Sequence, residues 1–225
     1  MHILKQLISR IRPRQKCRQQ GLNLSLALAI GLSCWLPILP VQADSPATST
    51  PFYQAYLELA PIQQAAETQL LSPDLLTWLL DEGRPLDQQL ALVNALGWRF
   101  ESQQNHTLYA AALQQKYRRP PADGGHLRPQ EQLLLGYLML MDDYFTPRAA
   151  LPLIRRGARR LWQSQAAQLV LAIAEAQDYI DKGEVWCQVW VLTERGLNPR
   201  LNADLREAAR REITDYLQLY RPYCP

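Results

Sequence analysis

Residues that commonly carry chemistry are sparse in this chain. Histidine occurs three times, as His2, His106 and His126. Neither His106 nor His126 has a partner at metal-ligand spacing, and no His-Glu-x-x-His pattern occurs, so no resident metal is expected. His126 closes the run Ala122-Asp123-Gly124-Gly125-His126. A flexible loop could present Asp123 and His126 as an acid/base pair; a solvated connection accounts for the same residues and is the expectation here. Glu131 and Glu175 stand beside or inside apolar runs, where burial suits a carboxyl to general-acid duty. Glycoside hydrolysis needs two carboxylates across a cleft, and nothing in the sequence pairs either one. Asp142 and Asp143 are adjacent, so on a helix they diverge and form no clamp. Asp143 and Pro147 read as a turn between helices. No Gly-x-Ser-x-Gly elbow, phosphate-binding glycine loop or dinucleotide fingerprint occurs, and no cofactor is expected.

Arg155, Arg156, Arg159 and Arg160 form the densest charge cluster. Their spacing places them on one broad helix face, and guanidinium forks suit carboxylate or phosphate partners. The cluster is expected to dock another protein or an anionic polymer or surface, or else to be a solvated face paired to neighbouring helices. Arg206, Arg210 and Arg211 repeat the pattern, balanced by Glu207 and Glu212. Trp78, Trp98, Trp162, Trp186 and Trp190 are spread along the chain; Trp186 and Trp190, one turn apart, line a groove or, as expected here, the core. Asn105-His106-Thr107 reads as a glycosylation acceptor or, equally, Asn105 as a helix N-cap.

The elements that must position these residues begin after a targeting segment. Residues 1–43 contain no acidic residue and carry Lys5, Arg10, Arg12, Arg14, Lys16 and Arg18. An apolar run, Leu22 to Val41, then leads to Val41-Gln42-Ala43 before Asp44. Basic head, apolar run and small-residue exit are the parts of a cleavable secretory signal, with the cut expected between Ala43 and Asp44. Residues 22–41 are long enough to anchor the chain in a membrane instead, but Pro37 and Pro40 near the exit favour cleavage. Lipidation at Cys34 is disfavoured, because Gly31 stands where Leu is wanted. The product is expected in the periplasm or outside the cell.

That subtraction changes the charge. The whole chain has 24 basic and 21 acidic residues; six basic and no acidic residues precede position 44, so the remainder nets −3. The basic balance belongs to the targeting segment and gives no reason to expect nucleic acid as a partner. Of four cysteines, Cys187 and Cys224 remain. In an oxidising compartment they are expected to form a disulfide, contributing about 3–4 kcal/mol by the chain-entropy model. The alternative is a pair of unlinked thiols.

Residues 44–51 (DSPATSTP) read as a flexible linker, and 52–225 as a single helical domain, ample for a core. Expected helices run from Phe52 to Leu71 with a break or kink at Pro61, Asp74 to Glu82, Pro85 to about Leu96, and Asn105 to Tyr117. Arg118 to Arg128 is a long loop. Further helices run from Pro129 through Met141, Pro147 to about Trp162, Ser164 to about Asp181, Glu184 to Arg195, and Ala203 to about Tyr220 with Asn202 as its cap. The helix from Pro129 is apolar all round and belongs at the centre. The fold class is therefore all-α: an irregular helical bundle or a short stack of antiparallel helix pairs.

Leu135-Gly136, with Met139 one turn on, resembles the first helix of a tetratricopeptide repeat. Ala176, Tyr179 and Leu192 match a later unit. Arg148, Arg155, Gln188 and Arg195 stand where that family places small residues, and Pro199 comes one residue early. The resemblance spans about 70 residues and implies helix pairs stacked around a protein-binding groove. The functional expectation is an exported binding, adaptor or assembly protein without a cofactor. The alternatives are a wall-polymer hydrolase using a lone carboxylate, or a membrane-anchored structural subunit if residues 22–41 are retained.

Overall fold

Proline and small polar residues start several helices in the way their chemistry requires. Ser72 accepts from Leu75 N at 3.4 Å with Pro73 at the first helical position, and Ser164 Oγ accepts from Ala167 N at 3.1 Å. The structure is a computed structural model that describes residues 45–99, 104–121, 124–181 and 186–225. Residues 1–43, read above as a targeting segment, with the expected cut at Ala43–Asp44 and the apolar run 22–41, lie outside those residues, as does Asp123.

The described chain is all-α. Its helices are α1 (Ala60–Thr68), α2 (Pro73–Leu80), α3 (Leu86–Leu96), α4 (Asn105–Tyr117), α5 (Pro129–Asp142), α6 (Leu151–Arg160), α7 (Gln165–Asp181), α8 (Cys187–Gly196) and α9 (Glu207–Leu217), with 3-10 turns at Phe52–Tyr56, Pro147–Ala149 and Gln218–Tyr223. Among the described residues there is no strand, only an isolated parallel bridge between Ser164 and Asn202.

Four expectations need correction. Phe52 to Leu71 is not one helix: a 3-10 turn precedes α1, and Pro61 sits in the first turn of α1, where its missing N–H costs nothing. Pro147 opens only a 3-10 turn; α6 starts afresh at Leu151 with Pro152 in its first turn and stops at Arg160. Asn202 caps no helix; its backbone bridges to the Gln163–Gln165 turn, and α9 begins at Glu207. Ser45 to Pro51 is not a loose linker. Ser45, Ala47 and Thr50 are buried, and Gln177 Oε1 accepts from Ser45 Oγ at 2.6 Å and from Ala47 N at 3.3 Å. Small residues let this turn lie against α7, where the glutamine satisfies polar groups that water would otherwise hold.

α5 is the central helix, as its composition predicts. Leu133, Leu134, Leu135, Tyr137, Leu138 and Leu140 are all buried, and the helix touches α3, α4, α6 and α7. Two glycines set the α5–α6 crossing. A Cβ on Gly136 would come within 2.7 Å of Ile154 Cγ1 and 2.8 Å of Ile154 N. One on Gly157 would come within 2.7 Å of both Leu133 N and Pro129 O. These contacts run in opposite directions along the two helices, which are therefore antiparallel. Gly196 of α8 meets Leu169 of α7 in the same manner. At the C-terminus the sulfurs of Cys187 and Cys224 are 2.16 Å apart, a disulfide distance, with their Cα atoms at 4.6 Å.

Candidate functional site

α4, α5 and α6 enclose an open cleft of about 330 Å³. Its lining is mainly apolar: Ala110 from α4, Leu135 and Met139 from α5, Pro152 and Leu153 from α6, and Pro121 from the loop before α5. Two polar side chains complete it, His106 at the start of α4 and Arg156 on α6. Glycine makes the arrangement possible. Gly136 lets α6 approach α5 closely. Gly124, at φ +62°, carries the loop so near Leu153 that a Cβ would lie 2.5 Å from its Cδ2.

His106 is oriented by Asp142, the last residue of α5. Asp142 Oδ2 accepts from the His106 backbone N–H at 2.8 Å and lies 2.6 Å from His106 Nδ1. An ionised carboxylate only accepts, so the ring donates to Asp142 through Nδ1. Nε2 lies 3.3 Å from the Thr107 hydroxyl. Asp142 is buried, and its Oδ1 has no hydrogen-bond partner. Sequence reasoning missed this pair. The two residues are 36 positions apart, and adjacent aspartates at a helix end read as turn chemistry.

The arginine cluster does not present one uniform face. Arg155 Nε donates to Glu175 Oε1 of α7 at 2.8 Å, so two residues singled out for different roles are partners. Arg159 Nε donates to its own helix at Arg155 O, 3.2 Å. Arg160 Nη1 donates to Leu127 O at 3.2 Å. Of the four, Arg156 contributes to the lining of the cleft over α5.

Glu131 is buried in a cationic setting. It accepts from Lys116 Nζ at 2.8 Å, Tyr117 Oη at 2.8 Å and Arg128 N at 2.9 Å. Burial by itself would raise its pKa, but the bonds from Lys116, the Arg128 backbone and Tyr117 outweigh that and hold its carboxyl below the usual range. It is therefore an anchor between α4 and α5 and is not poised as a general acid. Lys116 and Arg128 both also reach Glu82 beyond α2.

The loop before α5 is docked rather than solvated at two points: Gly124 and Leu127 are buried, and Gln132 Nε2 donates to Gly124 O at 2.6 Å. The His126 ring stands edge-on to Tyr117 at 5.4 Å, with both its nitrogens buried and without a hydrogen-bond partner.

The chain matches no protein-family model, no curated protein and no solved structure.

The remaining sequence candidates fall elsewhere. The Asn105 side chain accepts from Leu71 N at 2.9 Å and donates to Gln69 O at 3.3 Å. Buried and doubly bonded, it is neither an accessible glycan acceptor nor the cap of its own helix. Trp186 and Trp190 are not core residues. Trp186 is 42% exposed and meets Tyr223 at 4.9 Å; Trp190 donates to Glu194 Oε1 at 2.9 Å, with Arg221 over its ring. Arg206 lies over Tyr56, and Arg210 pairs with Glu207 of its own helix. Among the described residues no group of acidic, histidine and cysteine side chains forms a metal site.

Proposed function

We propose that this chain is an exported binding protein, an adaptor or assembly factor that works without a cofactor, and that its partner enters the cleft over α5. The observation carrying this reading is the cleft's chemistry: a mainly apolar lining joined by the guanidinium of Arg156 and the oriented imidazole of His106. Such a lining suits an apolar side chain that carries or neighbours an anionic group, as on another protein or an anionic polymer or surface. Export rests on the basic and apolar pattern of residues 1–43, and the net −3 of the remainder speaks against nucleic acid. The tetratricopeptide-like reading of α5 and α6 belongs to the same proposal; it is supported by Gly136, which stands at their close crossing.

Hydrolysis by a lone carboxylate draws no support from Glu131 or Glu175, since each is held by cations. A catalytic reading would rest instead on His106 as a base oriented by Asp142. The membrane-anchored reading depends on retention of residues 22–41. Capture of partners by the protein in its own compartment, compared with Ala110→Phe and Arg156→Gln, separates these readings. A partner lost in both variants supports binding at this cleft. Turnover of an ester probe that disappears in His106→Gln would replace the binding reading with the catalytic one.

A further inference from the structure

A second cleft, of about 320 Å³, lies beyond the C-terminal end of α6. The turn that leaves α6 forms one wall, with Arg160, Trp162 and Gln163; the segment before α9 forms another, with Asn202 and Asp204. It shares no lining residue with the cleft over α5.

Three observations mark it as a binding site. The Trp162 side chain is 63% exposed, so an indole remains in water beside a concavity instead of in the core where its surface would be removed from solvent. The main chain beneath the cleft is fixed: Asn202 N donates to Gln163 O at 2.7 Å, Gln165 N donates to Asn202 O at 3.3 Å, and Asp204 Oδ1 accepts from Ala166 N at 3.1 Å. This is the one isolated β-bridge among the described residues, and it holds the two walls in register before any ligand arrives. Finally, the polar lining balances in charge. One guanidinium and one carboxylate are accompanied by carboxamides, and the side chains of Gln163 and Asn202 are both exposed.

This set matches one ligand chemistry closely. A pyranose has a C–H face, weakly positive, that packs on the negative face of an indole. Its rim carries hydroxyls, each a donor and an acceptor, which planar carboxamide, carboxylate and guanidinium groups meet in pairs. A phosphate or a polyanion would call for an excess of cations that the lining does not have. We propose that this cleft is a subsite for a neutral pyranose unit of an oligosaccharide, with Trp162 as the stacking platform and Arg160, Gln163, Asn202 and Asp204 as the hydroxyl partners.

The test uses the ¹⁵N-labelled protein as the cell processes it. The indole N–H signal of Trp162 is identified by its loss in Trp162→Phe. Cellotriose, maltotriose and triacetylchitotriose are then titrated separately into the millimolar range, where weak recognition is read. At least one of them saturates a shift of the Trp162 signal, and Asn202→Ala or Gln163→Ala raises the Kd about 3- to 10-fold, the effect of one lost hydrogen bond. Both substituted side chains are exposed and the bridge is made by main chain, so circular dichroism should be unchanged. Failure of all three sugars to move the Trp162 signal overturns the proposal. So does a shift that both variants leave undiminished, or one confined to other indoles. None of these results bears on the cleft over α5.

Discussion

Asp142 Oδ2 holds both the backbone N–H and the ring of His106, at 2.8 and 2.6 Å. One carboxylate at the end of α5 thereby caps the start of α4 and orients the only imidazole in the cleft lining. Substituting Asp142 by Ala removes a cap and leaves the imidazole without its partner. Loss of an N-cap costs about 0.5–2 kcal/mol, and loss of a hydrogen bond to a charged group about 1.5–3 kcal/mol. Denaturant unfolding should show a lower midpoint at unchanged slope. Stability within about 0.5 kcal/mol of the parent would mean that the pair contributes nothing measurable.

The Glu131 anchor predicts a pH dependence of definite sign. Its carboxyl titrates below the usual range in the folded state, so its contribution is fully present above the unfolded pKa. It is lost as pH falls through the folded value. Glu131→Gln should therefore cost about 1.5–3 kcal/mol at neutral pH, and the gap between variant and parent should close on acidification. A gap independent of pH would remove ionisation from the explanation.

Gly136 and Gly157 make a steric prediction. Alanine at either position must displace backbone on the facing helix, Ile154 N in one case and Pro129 O in the other. Overpacking of this kind costs about 1–3 kcal/mol, whereas alanine at an exposed helix position is neutral or stabilising. Thermal melts of Gly136→Ala and Gly157→Ala should both fall, and a rise in either would place the crossing elsewhere.

Cys187 and Cys224 should appear as one linked peptide in non-reducing mapping and resist alkylation until reduced. Replacing both by Ser should lower stability by about 3–4 kcal/mol, as expected for release of a loop of this length. Ready alkylation of the native protein would break the assignment.

If residues 1–43 are a cleaved secretory signal, as proposed, mass spectrometry of the protein recovered from cells should find a chain starting at Asp44. Recovery of a chain that still begins at Met1 would favour the membrane-anchored reading.

Helical periodicity, caps and prolines make much of the architecture legible in the sequence. The central place of α5 and the role of Ser164 follow from local chemistry, because a helix satisfies its own backbone and signals its ends within a few residues. The same local signals misled where tertiary contacts compete with them. Asn202 resembles a cap, yet the main chain there is claimed by the turn after α6. Ser45 to Pro51 resembles a linker, yet Gln177 Oε1 of α7 accepts from two of its donors. The candidate sites show the same division. Residue types and charge balance along the chain, and hence the absence of familiar catalytic motifs, were evident from sequence alone. Whether Arg155 faces a partner or Glu175, whether Glu131 is an acid or an anchor, and whether His106 stands alone or against Asp142 was decided by helix packing. Such pairings join positions tens of residues apart, and their energy depends on distance and burial, which no spacing along the chain encodes.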